Sequence, residues 1–393
     1  MKYKNVSMFL ATLVTCGIGF AQTKQTAVED FKPSSTNQPD KQYPQVNSEG
    51  RVRARISAPQ AQKVQLDIGA VKYDMTKDTG GVWTGDSNPQ DEGFHYYQLW
   101  VDGAAVPDPS SLYFYGASRW GSGIEIPAKD QDFYALKNVP HGQIRELPYF
   151  SKNNNSMRRC FVYTPPDYDK DITKRYPVLY LQHGGGENET GWPNQGKTNL
   201  IMDNLIAEGK AKPFIIVMDN GTWRMPENSR PPRQGERPAG PWPPAGWADG
   251  FKKTLLEDII PMIDGNYRTL ADQPHRAMAG LSMGGMQTRV ITLANSNVFS
   301  HVGIFSGGSI SVEDVNNAPG FKEKNKLVFV SFGSRELENR RAGGAFGGDP
   351  KVNTDSLSVI GIKTHFYVSP LTAHEWQSWR RSLHEFAQLL FKD

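Results

Sequence analysis

The sequence predicts a small antiparallel β-sandwich followed by a larger α/β domain built on a mostly parallel sheet. Three observations carry this. Between about residues 44 and 130, short runs such as RVRARIS and KVQLDIG alternate apolar and polar residues between turn signals, the period-two pattern of half-buried strands. After about residue 145, near-continuous apolar runs alternate with helix-period segments, which is how a parallel sheet covered on both faces reads. One of those runs, RAMAG, leads directly into GLSMGG at residues 280–285.

In chain order, residues 1–21 read as a secretory signal peptide. Lys2 and Lys4 form its charged start, Met8 to Phe20 its apolar stretch, and Gly19-Phe20-Ala21 its small cleavage residues. The stretch falls short of the roughly 20 apolar residues that span a bilayer, so no membrane-spanning segment is expected. Export places the mature chain in the periplasm or outside the cell. Loss of Lys2 and Lys4 takes the formal net charge from +3 to +1, and a nearly neutral chain offers no electrostatic case for nucleic acid or an anionic membrane as partner. Of the two cysteines, Cys16 leaves with the peptide. Cys160, in the apolar run RRCFVYTPP, is expected to be a buried, inert thiol.

Residues 22–43 are polar and read as a flexible leader. The sandwich is expected over 44–130, where Val52, Ala54 and Ile56 alternate with three arginines and FHYYQLWVDG closes on an Asp-Gly turn pair. A linker over 131–145 follows, and then the α/β domain over 146–393. Its strands are expected at PVLYLQH (177–183), PFIIVMD (213–219), RAMAG (276–280), HVGIFSG (301–307), KLVFVSFG (326–333) and KTHFYVS (363–369). Between the second and third lies a stretch at 224–250 dense in Pro, Gly, Arg and Trp. A loop that long in a compact domain serves a function or lacks order.

The chemistry centres on Ser282. As a bare pattern G-x-S-x-G says little, and a glycine-rich turn would match it. Here, however, a strand precedes the serine and the helical pattern MGGMQTRVITLAN follows it. That strand-turn-helix context lifts a nucleophilic hydroxyl above the sheet in the α/β-hydrolase fold, with the triad in chain order Ser, acid, His. Four histidines follow Ser282. His301 opens the very next strand, His365 lies inside a strand run and His384 in a late helix, which leaves His374, just past the last strand, as the base. Glu336 sits immediately after its strand and is the favoured acid, with Glu338, Asp349 and Asp355 as competitors on the same loop. Oxyanion donors are expected from the backbone N–H of Met283 and from HGGG (183–186), near Gly185. His183 reads as a structural residue at the strand end. No His, Cys and carboxylate spacing suits a metal, and neither metal nor cofactor is expected.

Taken together, YLQHGGGENETGW, LLEDIIPMID, AGLSMGG, FGSRE and HEWQSWR resemble the esterase-D-like α/β-hydrolases, and in particular the carbohydrate esterases of family 1, which include feruloyl and acetylxylan esterases. The likeness runs over most of residues 140–393. The segments APQAQKVQLDIG, MTKDTGGVWTG, GFHYYQLWVDG and RWGSGIEIP resemble the early-set immunoglobulin-like domain, related to carbohydrate-binding module family 48, that precedes such esterases. The resemblance implies Ser282 as nucleophile and His374 as base. Glu336 falls where the family usually has Asp in a Gly-x-x-Asp pattern. The implied substrate is feruloylated or acetylated xylan or xylo-oligosaccharide. Trp192, with Trp223 at the start of the 224–250 region and Trp242 and Trp247 within it, is expected to contact it through apolar walls suited to an aromatic acyl group or sugar rings. A feruloyl esterase is the leading reading. An acetylxylan esterase on the same residues, a siderophore esterase sharing the two-part layout, and a non-catalytic carbohydrate-binding protein are the alternatives.

Overall fold

Eight strands form the sheet of the second domain: β1 (Gln143–Ser151), β2 (Ser156–Thr164), β3 (Val178–Gln182), β4 (Ile215–Asp219), β5 (Arg276–Leu281), β6 (His301–Phe305), β7 (Leu327–Gly333) and β8 (Thr364–Ser369). The computed structural model that shows them describes residues 28–222, 244–338 and 348–392. Spatially the strands run β1-β2-β4-β3-β5-β6-β7-β8. The pairs β1–β2 and β2–β4 are antiparallel and the rest parallel. All six expected strands are present. RRCFVYTPP, read as an apolar strand-like run, forms most of β2; its antiparallel partner β1 at the edge mixes charged and apolar residues and does not give the continuous run of a fully covered strand.

Strand alternation divides the core. Leu179 and Leu181 point to one face, with Ile201 and Leu205 of helix α1 (Thr198–Ala207) and Leu383 and Phe386 of the C-terminal helix. Val178 and Tyr180 point to the other, against Leu255, Ile259 and Ile263 of the helical run 249–266 (α2) and Ile291 of α3 (Met283–Ala294). Helices α4 (Pro350–Val359) and α5 (Trp376–Ala387) complete the cover. A mostly parallel sheet in this order, flanked on both faces, is the α/β-hydrolase fold.

The N-terminal domain is an all-β sandwich. One sheet holds Lys32–Pro33, Gln45–Val46, Val52–Ser57, Thr76–Lys77 and Val82–Asp86. The other holds Val64–Ile68, Val71–Asp74, Gly93–Val101, Ala104–Val106, Tyr113–Gly116 and Arg119–Ile126. Val52, Ala54, Val64, Leu66 and Ile68 are buried between them, and Ile56 packs partly buried against that core.

Two expected boundaries need correction. From residue 28 onward the supposed flexible leader lies against the sandwich: Lys32–Pro33 pairs with Gln45–Val46, Thr36 Oγ1 donates to the Gly123 carbonyl at 2.8 Å, and Arg53 lies 3.9 Å over the Phe31 ring. Composition misleads here because the polar side chains find partners within the domain. Residues 22–27 fall outside the described chain. The supposed linker is likewise docked. Tyr134 is buried, Asn204 Nδ2 donates to the Phe133 and Ala135 carbonyls, and β1 already begins at Gln143. Cys160, on β2, is buried, and burial pushes its thiol up.

Candidate active site

β5 ends one residue before Ser282, and α3 begins one residue after it. The turn between them is tight enough to hold Ser282 at φ 50°, ψ −115°, a strained backbone for a residue with a Cβ. Hydrogen bonds fix it: Ser282 N–H donates to the Phe305 carbonyl at 2.8 Å, and Met286 N–H donates to the Ser282 carbonyl at 3.0 Å. Glycine is required where the chain doubles back. A Cβ on Gly280 would stand 2.5 Å from the Gly284 carbonyl carbon, and one on Gly284 would stand 2.6 Å from the His183 carbonyl oxygen.

That last contact brings the loop after β3 against the elbow. A Cβ built on Gly184 would lie 3.3 Å from Ser282 Cβ, and one on Gly185 would lie 4.0 Å from Met283 Cβ. Gly185 and Met283, the two residues expected to supply oxyanion donors, therefore lie next to each other at the elbow. His183 anchors the loop from below. It is buried and burial pushes its pKa down, so it is neutral. Nδ1–H donates to the Gly184 carbonyl at 2.8 Å and Nε2 accepts from Gly221 N–H at 2.9 Å.

His374 sits on the loop between β8 and α5, and Glu336 in the short helix Ser334–Glu338 after β7. His374 Nε2 lies 2.9 Å from Ser282 Oγ, and Nδ1 lies 2.8 Å from Glu336 Oε1. An ionised carboxylate only accepts, so Nδ1 carries the proton and Nε2 presents its lone pair to the serine hydroxyl. Glu336 stays ionised. Burial raises its pKa, but hydrogen bonds from His374, the Gly333 N–H at 2.7 Å and the Ser306 hydroxyl at 2.7 Å outweigh burial and leave it lowered. Trp379 packs edge-on against the His374 ring at 5.1 Å and donates its indole N–H to Ser306 Oγ at 3.1 Å. Sequence reasoning missed Ser306; only its place just after β6 could have suggested it.

The competing groups do other work. Asp349 caps α4 through the N–H groups of Lys351 and Val352, and Asp355 pairs with Lys351. Glu338 is exposed. His301 is buried, His365 stacks on Phe329 at 5.3 Å, and His384 packs on Phe133 at 4.8 Å. Among the described residues, no group of three or more His, Cys, Asp or Glu could hold a metal ion. No helix among them is long and apolar enough to cross a membrane.

The tryptophans divide. Trp192 is a correction: it is 1% exposed, its indole N–H donates to the Gln182 carbonyl at 2.9 Å, and its ring meets Trp376 edge-on at 5.5 Å. It wedges the β3 loop from inside and offers no face to a ligand. Trp247 is half-buried and lines a cavity of about 340 Å³ with Met286, Arg289 and Val290 of α3 and Gly307. Met286 is one helical turn from Ser282. Trp223 and Trp242 lie outside the described residues, as do 1–21.

Comparison with known proteins adds the following. The family model described as "Putative esterase" matches residues 151–389. An endo-1,4-beta-xylanase/feruloyl esterase of Xylanibacter ruminicola is 44% identical over 372 residues, which are 93% of this chain and 48% of that protein. Endo-1,4-beta-xylanase Y of Acetivibrio thermocellus is 27% identical over 207 residues, 47% of this chain and 17% of that one. The chain thus spans less than half the length of either relative. Among solved structures, a CE1 ferulic acid esterase of Anaeromyces mucronatus in complex with ferulic acid matches with TM-score 0.54 and 22% identity, covering 67% of this chain and 96% of that one. An enterobactin esterase of Shigella flexneri matches with TM-score 0.60 and 15% identity, covering 87% and 93%. At these identities the two structures speak for the fold.

Proposed function

The chain belongs to the putative-esterase family, and from that premise we propose that it is an exported serine esterase releasing hydroxycinnamic acids, ferulic acid above all, from plant cell-wall xylan. The carrying observation is the continuous hydrogen-bonded path from Ser282 Oγ through His374 to Glu336, at 2.9 and 2.8 Å. The proposed course begins when His374 Nε2 takes the hydroxyl proton as Oγ attacks the ester carbonyl carbon. Charge that develops on the carbonyl oxygen meets the N–H groups of Met283 and Gly185. Collapse breaks the bond to the sugar oxygen, which receives the proton from His374 and leaves an acyl-serine. Water, deprotonated by the same nitrogen, then frees the acid and restores the serine. Glu336 holds the ring in one tautomer and faces the imidazolium that forms in each half-reaction.

The choice of acyl group rests on the 44%-identical relative named as a xylanase/feruloyl esterase. The cavity beside Trp247, one turn of α3 from the elbow, is where we place the aromatic ring. We read residues 1–21 as the export signal, and the sandwich as the early-set, carbohydrate-binding-module-48-like unit that accompanies such esterases. The test is parallel assay of methyl ferulate, p-nitrophenyl acetate and acetylated xylan with the wild type and Ser282→Ala. Methyl ferulate should be turned over best, and the variant should lose more than about 10⁴-fold in kcat. Equal activity of the variant would remove Ser282 from the reaction, and preference for acetylated xylan would make the protein an acetylxylan esterase.

A further inference from the structure

Among the polar links between the sandwich and the hydrolase domain, one node centres on a tyrosine. Tyr96 lies in the Gly93–Val101 strand, and its hydroxyl makes contacts with three separate segments of the hydrolase domain. Gln195 Nε2 donates to Tyr96 Oη at 2.7 Å and Trp376 Nε1 donates to it at 3.2 Å. With both lone pairs engaged, the Tyr96 O–H must donate outward, and Glu187 receives it with Oε1 at 2.8 Å and Oε2 at 2.9 Å. Glu187 stands two residues past Gly185 on the loop after β3, and Trp376 stands two residues past His374. One sandwich side chain therefore ties the loop flanking the serine to the start of the helix behind the histidine.

The node is built rather than incidental. Glu187 is 8% exposed, and burial pushes its carboxyl up to about 7 while the Tyr96 and Trp376 donors act against that rise. A Cβ on Gly116 would fall 2.1 Å from Tyr96 Cζ, so the Tyr113–Gly116 strand packs its backbone directly against the phenol ring. A second tether lies beside it: Ser118 N–H, at the tip of the same hairpin, donates to the Gly186 carbonyl at 2.8 Å. Residues 186 and 187 are thus both held by the sandwich, whereas His183 is held by the hydrolase domain itself. The segment between, with Gly185, has one end fixed by each domain.

We propose that Tyr96 is a positioning residue for the ester hydrolysis, holding Glu187 and with it the Gly185 N–H where the oxyanion forms. This rests on the function proposed above and adds to it that the sandwich is part of the catalytic apparatus. Displacing such a donor by a fraction of an ångström weakens the transition state and leaves substrate binding in place.

The test is Tyr96→Phe, which removes one oxygen and keeps the ring. Expected is a fall in kcat of about 10- to 100-fold on methyl ferulate and on p-nitrophenyl acetate alike, with KM within about twofold. Affinity for phenylboronic acid, whose serine adduct places an oxygen in the same donor pair, should fall in parallel. Glu187→Gln provides a second route that keeps the loop's volume and should show the same pattern. Unchanged kcat in a folded Tyr96→Phe protein overturns the proposal. So does a loss of kcat with boronate affinity intact, because that locates the defect away from the oxyanion donors. A wild type without esterase turnover would instead sink the function proposed above, and boronate affinity in the two variants would still decide the role of Tyr96.

Discussion

Glu336 shows how much a single carboxylate is asked to do. It receives three donors, from His374, Gly333 N–H and Ser306, and so it fixes a ring orientation as well as a charge. Replacing it with Gln keeps the shape but supplies an N–H₂ that competes for the wrong imidazole tautomer. Glu336→Gln should therefore lose about 10³- to 10⁴-fold in kcat, measured on methyl ferulate at saturating substrate, while Glu336→Asp should recover part of it. Retention of kcat in Glu336→Gln with loss in Glu336→Asp would mean that length, and not charge, sets the role. Residue by residue, Ser282, His374 and Glu336 could be picked from chain order because each sits where a strand ends, and the fold brings those ends to one edge. Trp192 could not be placed that way. Loop membership tells which edge a residue occupies but not whether its side chain turns outward, and this one turns into the core. Ser306 escaped notice because an isolated serine after a strand carries no pattern.

At the scale of elements, the parallel strands were legible because burial on both faces forces near-continuous apolar runs, as in VLYLQ and IIVMD. The elbow is where two elements meet most closely, and it admits a direct test. Gly284→Ala puts a methyl group 2.6 Å from the His183 carbonyl oxygen and 2.8 Å from Gln182 Cβ. Neither can yield cheaply, since one is a backbone carbonyl and the other belongs to the last residue of β3. Overpacking of this kind costs about 1–3 kcal/mol, readable as a lower urea midpoint, and kcat should fall with it because the Gly185 loop is pushed away. β6 gives a second test. His301 at its start is 2% exposed, and burial, then the charges of Lys326, Lys363 and His275, hold its pKa down to about 3. Unfolded, the same imidazole titrates near 6.5. Between those values the unfolded chain binds a proton that the folded one does not, so this stability is whole above pH 6.5 and is lost as pH falls towards 3. The loss approaches about 1.4 kcal/mol per pH unit. The stability difference between wild type and His301→Asn should shrink steadily from pH 6.5 to 4.5. Two parallel stability curves would refute it. Buried Glu187 and Asp219, whose pKa values are pushed up to about 7 and about 6, slope the other way, but they do so in both proteins and cancel in the difference.

For the whole molecule, the decisive contacts join residues about 250 positions apart, and no local pattern announces them. Alternation located the sandwich and apolar runs located the sheet, yet nothing in either showed that the two share a core. Phe94 and Phe114 of the sandwich pack in the same cluster as Trp376 and Leu383 of α5. Around that cluster the polar links are specific. Arg380, 0% exposed, donates to Glu125 Oε1 at 2.6 Å and Oε2 at 3.0 Å, and its Nε donates to the Gln195 carbonyl at 2.7 Å. Arg381 pairs with Asp130, and Arg335, the residue before Glu336, pairs with Asp91. An interface that buries a guanidinium completely should not open before the rest of the fold. The wild type is accordingly expected to unfold in one calorimetric transition in which the calorimetric and van't Hoff enthalpies agree. Glu125→Ala deletes the only carboxylate that faces Arg380 in the described structure and strands the charge at the junction. Leaving one member of a buried pair without its partner costs about 3–5 kcal/mol. Because that cost falls on the junction, the variant should melt earlier and in two steps, the sandwich and the hydrolase domain separating. Glu125→Ala combined with Arg380→Met removes the charge altogether and should restore most of the loss along with the single transition. If the single variant melts at the wild-type temperature in one step, the two domains are neighbours that merely touch, and the catalytic half stands without help from the sandwich.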